Sequence, residues 1–221
     1  MARPAWHLRH VRWLIYAALL AAALAIPAVC ALDAPNRVQL WVASRQLYGL
    51  WALSLLLAAM LIGPLTYVLP GLPAKAHLVL GRRALGIGAF GLGACHGLAY
   101  LVPVGLRDWR ELLAPGVAWW LGLGLGATAL ATLGVLTFTS TDHQLIQVGP
   151  QRWKRWQESV YWVLPLVLTH AVLLGADFGM NKAPDVQADP DSGALLGMSA
   201  LSLTWLALFV ARRRGARWKR S

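Results

Sequence analysis

Two histidines carry the chemistry this sequence offers, His96 and His170. Each lies deep in an apolar run, 12 residues past a basic-flanked start at Ala84 and at about Glu158 respectively. At 1.5 Å of rise per helical residue, both imidazoles sit about 18 Å from the same face of a bilayer, just past its midplane. An ionisable group at that depth is expensive and requires a partner. Two imidazoles at one level on separate helices form a clamp for a single metal, and a protoporphyrin iron takes its two axial ligands from opposite sides in this way. Zinc fits less well, because a tetrahedral site wants four ligands and no further His or carboxylate lies at this level. A lone histidine in a membrane is usually hydrogen-bonded to a neighbouring helix. The matched depths and the lack of a carboxylate partner favour ligation instead. Gly86, Gly88, Gly91, Gly93 and Gly97 would let a flat macrocycle approach the helix around His96.

The elements that must hold these side chains are membrane helices. Of 221 residues, 58% are apolar and only 13% charged. A soluble domain carries about a quarter charged residues. The charges here fall in clusters between apolar stretches long enough to cross about 30 Å of hydrocarbon. A soluble enzyme, a disordered chain and a secreted disulfide scaffold are thereby excluded. The pattern predicts an all-α integral membrane protein, a bundle of six transmembrane helices forming one domain over residues 1–221. The spans are expected at about 13–32, 47–69, 84–106, 117–138, 159–178 and 194–211. The first resembles a signal peptide, with Val29-Cys30-Ala31 as a cleavage-like site, but its length suits a span. Counting Lys and Arg, 15 fall on the side holding both termini and 5 on the other, so both termini are expected in the cytoplasm. Trp119 and Trp120, and Trp153 and Trp156, suit interfacial belts. The inner loop from Ser140 to Glu158 and the outer loop near 177–193 are too short to fold as domains.

Other signals are weaker. The net charge of +11 borders the apolar runs and needs no nucleic acid. Gly86-Ile87-Gly88-Ala89-Phe90-Gly91 matches a dinucleotide fingerprint, but that motif requires a preceding strand and lies here inside a membrane helix. Gly122, Gly124 and Gly126 read as close helix packing. Pro64, Pro103 and Pro165 are kink positions. Cys30 and Cys95 read as buried small hydrophobes, and without a C-x-x-C-H motif covalent c-type haem is out. His7, His10, His77 and His143 are expected in solvated loops. Arg82, Arg83, Arg152 and Arg155 satisfy topology, and could also bind a phosphate-bearing cofactor.

Arg82-Arg83-Ala84-Leu85-Gly86 followed by His96, then Phe138-Thr139-Ser140-Thr141, Arg152-Trp153, Val160-Tyr161 and His170, carry a family resemblance. From about Ser44 to Leu174 the chain resembles the MsrQ family, haem-binding membrane subunits of bacterial periplasmic methionine-sulfoxide reductase systems, within the ferric-reductase-like transmembrane superfamily. The resemblance implies a six-helix inner-membrane protein with b-type haem and FMN, and it matches His96 and His170 to the haem ligands. It implies electron transfer from the quinone pool or a cytoplasmic flavin reductase to a periplasmic molybdopterin subunit that repairs oxidised proteins. One position departs: where the family shows a further His, this sequence has Gln157. Gln is a poor iron ligand, which puts a second haem at the cytoplasmic level in doubt. A flavin or quinol near Arg82, Arg83 and Gln157 is the expected second station. The rival readings are a stand-alone ferric or cupric reductase and a small transporter; the latter predicts embedded charges or broken helices in repeated halves, and neither is evident.

Overall fold

The computed structural model describes residues 6–73, 75–107, 116–174, 199–200, 202–207 and 209–210. Among the described residues up to 174, seven helices follow in chain order: α1 (Trp6–Asp33), α2 (Arg37–Val68), α3 (Lys75–Arg107), α4 (Val117–Phe138), α5 (Asp142–Val148), α6 (Pro150–Gln157) and α7 (Val160–Leu174). No strand occurs among the described residues. Among the described residues, five helical stretches are long and apolar enough to cross a membrane: Trp13–Asp33, Arg37–Val68, Lys75–Val102, Val117–Phe138 and Pro150–Leu174. The sixth expected span, 194–211, falls largely outside the described residues, as do the 177–193 loop and the basic C-terminal tail. Within that span, residues 199–200, 202–207 and 209–210 are helical.

The helices associate in two pairs. Most inter-helix packing lies between α2 and α3 and between α4 and α7, with α1 laid against α3 and α2. The pairs meet more sparingly, through α3 with α4 and α2 with α7. Leu53, Leu56, Leu57 and Met60 of α2, Ala89 of α3, Ala129 and Leu133 of α4, and Val163 and Leu164 of α7 fill the seam between them. Large apolar side chains such as Trp13, Leu24 and Trp162 point outward. In lipid that costs little, because acyl chains are as apolar as Leu.

Several expected boundaries shift, for one reason. An apolar run marks the part of a helix that lies in hydrocarbon, whereas the helix itself continues until its backbone groups are capped or turned. Asn36 caps α2 by accepting from the Gln39 amide at 2.9 Å. The second span therefore begins ten residues before the expected 47, and Arg45 lies inside a helix rather than in an outer loop. Likewise α3 starts at Lys75 and contains Arg82 and Arg83. The Ser140–Glu158 stretch, expected as a loop, is mostly helix: α5 and α6 meet at Gly149, whose φ of 81° suits glycine. His7 and His10 lie on α1, His77 on α3 and His143 on α5, not in loops, and His10, His77 and His143 are exposed.

The first run is a packed helix. α1 continues through Val29-Cys30-Ala31, and Cys30 and Ile26 join Tyr48, Leu92 and Ala99 in a second core cluster. The Tyr48 hydroxyl donates to the Ala23 carbonyl at 2.7 Å. Cys30 is buried and Cys95 partly so, and neither is in a disulfide.

Leu57 is 0% exposed at the seam, while Leu24 is 70% exposed. Leu57→Ala should lower stability by about 3 kcal/mol through the lost contacts and the cavity left behind. Leu24→Ala should change it by no more than about 0.5 kcal/mol. Denaturation in mixed micelles, followed by helical circular dichroism, checks both.

Candidate metal centre

His96 projects from α3 onto α2, and its Nδ1 lies 2.8 Å from the backbone oxygen of Arg45. His170 projects from α7 onto α4, and its Nδ1 lies 2.7 Å from the oxygen of Gly122. A carbonyl oxygen only accepts, so each Nδ1 is assigned the proton and each Nε2 keeps its lone pair. This is the tautomer that ligates a metal through Nε2, its ring orientation set by the bond at the other nitrogen.

Each ring also needs room. Gly49 follows Arg45 by one helical turn, and a Cβ there would fall 2.9 Å from His96 Nδ1. Gly126 follows Gly122 by one turn, and a Cβ there would fall 2.6 Å from His170 Nδ1 and 2.7 Å from its Cε1. The two helix pairs thus use one device. A carbonyl at position i accepts from the imidazole, and a glycine at i+4 leaves the notch in which the ring lies.

The rings meet across the seam, with centroids 6.0 Å apart and planes 84° apart. A bond of about 2 Å from each ring nitrogen to a shared metal, plus the inner radius of two imidazoles, spans about this separation. Among the described residues no group of three or more His, Cys, Asp or Glu side chains forms a metal cluster. The donor set suits a metal that brings its own equatorial ligands.

Other residues singled out in the sequence have different surroundings. Gly88 faces Leu19 and Leu55 and serves packing of α3 against α1 and α2 instead of a macrocycle surface. Gly93 and Gly97 face Leu130 of α4, and Gly86 and Gly91 face open space. Gln157 donates to Ser140 Oγ at 3.1 Å and to the Leu136 carbonyl at 3.4 Å, tying the end of α6 to the end of α4. Arg82 and Arg83 are half-buried on α3, about 20 Å of helix away from His96. Trp153 donates to the Thr139 carbonyl at 3.0 Å, and Trp156 and Trp120 are exposed, as belt residues would be. Sequence reasoning missed Gly49 and Arg45. Neither has a signal of its own, because the one-turn offset acquires meaning only when the register of α2 against α3 is known.

Residues 48–168, more than half of the chain, match the family described as ferric reductase like transmembrane component. The chain belongs to that family. His96, Gly49, Gly122 and Gly126 fall within the matched segment, and His170 lies just past its end. Family membership and the apolar helices make this a multi-pass membrane protein. Over 132 residues, 57% of the chain, it is 34% identical to the protein-methionine-sulfoxide reductase heme-binding subunit MsrQ of Caulobacter vibrioides, covering 58% of that protein. It is also 29% identical over 138 residues to the magnetosome protein MamZ of Magnetospirillum gryphiswaldense, covering 18% of it. A MamZ of Paramagnetospirillum magneticum is 28% identical, with 19% covered. The chain therefore spans less than two thirds of each of these relatives. No solved structure matches it significantly.

In this ferric-reductase-like protein the tautomers are open to direct measurement. With nitrogen-15 histidine, metal-free protein should show two imidazoles protonated at Nδ1. Gly126→Ala should displace His170 and erase its hydrogen-bonded Nδ1 signal, leaving that of His96. Gly91→Ala, where a Cβ meets nothing within 4 Å, should leave both.

Proposed function

We propose that this protein is a membrane electron-transfer subunit holding one b-type haem between His96 and His170. The observation that carries the reading is the paired geometry: two imidazoles 6.0 Å apart on different helices, each with Nδ1 satisfied by a backbone carbonyl. That donor set fits the group. Haem, when bound, supplies a one-electron iron couple. The chain's own residues do the rest. His96 and His170 present Nε2 as axial ligands. The Arg45 and Gly122 carbonyls fix the ring orientations and make both imidazoles more electron-rich. Gly49 and Gly126 allow the rings to lie against the helices. The apolar seam of Leu53, Leu57, Leu133 and Val163 excludes water.

The wider assignment rests on the similarity to the MsrQ of Caulobacter vibrioides, named a heme-binding subunit. On that basis the protein sits in a bacterial inner membrane as one six-span domain with both termini cytoplasmic. It draws electrons from the quinone pool or a cytoplasmic flavin reductase and delivers them to a periplasmic molybdopterin methionine-sulfoxide reductase. A second cofactor, FMN or a bound quinol, belongs on the far side of the bundle near Arg82 and Arg83. Purified protein containing two haems and no flavin would remove that station. A second reading follows from the family description: a membrane ferric reductase acting without a periplasmic partner. Reduction of an external ferric chelate by vesicles containing this chain and a donor alone would favour it.

The test is spectroscopic. Purified full-length protein should show a low-spin b-type spectrum, oxidised and reduced, with one haem per chain. His96→Ala and His170→Ala should each abolish the low-spin signal. Retention of the wild-type spectrum by both variants would refute the ligand assignment.

A further inference from the structure

Arg45 is a cation inside a membrane-crossing helix. Its carbonyl holds His96, and its guanidinium lies over the Tyr100 ring, 5.5 Å from the centroid. Tyr100 follows His96 by one turn on the same face of α3. The charge therefore stands about one turn from the imidazole, towards the end of the bundle where α2 and α4 begin. Trp119 of α4 packs on the same Tyr100 ring, with centroids 5.8 Å apart and planes at 59°. Its indole Nε1–H is buried without a hydrogen-bond partner.

Arg45 is in a similar position. Among the described residues no carboxylate and no hydrogen-bond acceptor pairs with its guanidinium. Donors from α2 and from α4, on the two sides of the seam that brings the imidazoles together, thus converge on one tyrosine with no carboxylate among the described residues between them. A cation–π contact is a weak substitute for a counter-ion. It does not offset the desolvation of a charge left without one. Ser44 Oγ, Gln46 Nε2 and Trp205 Nε1 are also buried without partners, but Arg45 and Trp119 converge on one ring from facing helices, and two such donors side by side point to a missing group. The chemistry that fits both is an anion with two oxygens, a carboxylate, since a guanidinium fork and an indole N–H can each bind one.

We propose that Arg45 and Trp119 form a carboxylate subsite, filled by a propionate of the haem that His96 and His170 hold. The proposal rests on the haem reading above and deepens it by orienting the macrocycle. Its carboxylate edge points towards the end of the bundle marked by Arg37 and Val117, and its apolar edge towards the Leu53–Leu133 seam. The competing source of the same chemistry is an acidic side chain of this protein, Asp108 or Glu111 between α3 and α4, both outside the described residues.

The experiment uses the full-length chain made in haem-deficient cells and loaded in membranes with protohaem or with its dimethyl ester. Transfer of haem to excess apomyoglobin gives the release rate. Wild-type protein should release the ester about tenfold faster than protohaem, the scale of one lost charge-assisted hydrogen bond. Arg45→Gln should release protohaem about tenfold faster than wild type does, and the ester at an unchanged rate. Trp119→Phe, which keeps the ring and removes the N–H, should accelerate protohaem release about threefold and the ester not at all. Arg45→Lys should recover part of the protohaem affinity.

Equal acceleration of both haems by Arg45→Gln would overturn the proposal, since packing alone would then explain it. So would equal release of the two haems from wild-type protein. An Asp108→Asn, Glu111→Gln variant that mimics Arg45→Gln with both haems would assign the carboxylate to the chain itself and overturn it too. Wild-type protein with no low-spin spectrum under either haem would instead defeat the haem reading, and the subsite with it.

Discussion

An imidazole among apolar helices has two ring nitrogens to satisfy, and His96 and His170 each satisfy one on a backbone carbonyl of the neighbouring helix. In a helix that carbonyl already accepts from the amide four residues on, so the imidazole takes its second lone pair. The bond forms only if the donor ring lies alongside the accepting helix backbone. Side chains normally prevent that. The residue that would obstruct it is the one a turn beyond the carbonyl, and it is glycine in both halves, Gly49 and Gly126. The rest of the architecture follows from that requirement: α3 must run close along α2, and α7 close along α4.

The same requirement explains why the bundle is built as two pairs. In lipid there is little hydrophobic force between helices, and close packing and interhelical hydrogen bonds decide which helices associate. Within each pair a buried imidazole–carbonyl bond adds to extensive contact. Between pairs the contact is sparser and comes mainly from Leu, Ala and Val side chains. A ligand bridging His96 and His170 would join one histidine from each pair, adding two coordinate bonds across the least tightly packed seam of the bundle. Ligation and assembly would in that sense be one interaction, since a bridging metal would complete an interface that lipid alone does not drive together.

How far this was legible in the sequence depends on the length over which each signal extends. Runs of about twenty apolar residues identify membrane helices without knowledge of neighbours, and equal depth placed His96 and His170 at one level before any packing was known. Helix ends were misjudged because hydropathy reports the hydrocarbon boundary, while Asn36 and the backbone set where α2 begins. That error put Arg45 in an outer loop and hid the cation beside the centre. The Ser140–Glu158 stretch looked like a loop because its residues are polar, yet α6 carries Trp153 and Gln157 on the side facing the end of α4. Gly126 was read as a packing glycine, and so it is, but what it admits is an imidazole ring. No pattern within one helix distinguishes those two uses; the partner helix does.

The position of the centre along the bundle constrains the chemistry further. Gly122 lies five residues into α4, about 8 Å from its start, and Arg45 eight residues into α2, about 12 Å. Arg82 and Arg83 lie about 20 Å of helix away on the other side. The histidine pair is therefore nearer the end of the bundle where α2 and α4 begin than the end that holds Arg82 and Arg83. At the far end stands Gln157, engaged with Ser140 and Leu136. The two ends of this bundle are therefore chemically unlike: a pair of imidazoles at one, and the Gln157 amide with Arg82 and Arg83 at the other.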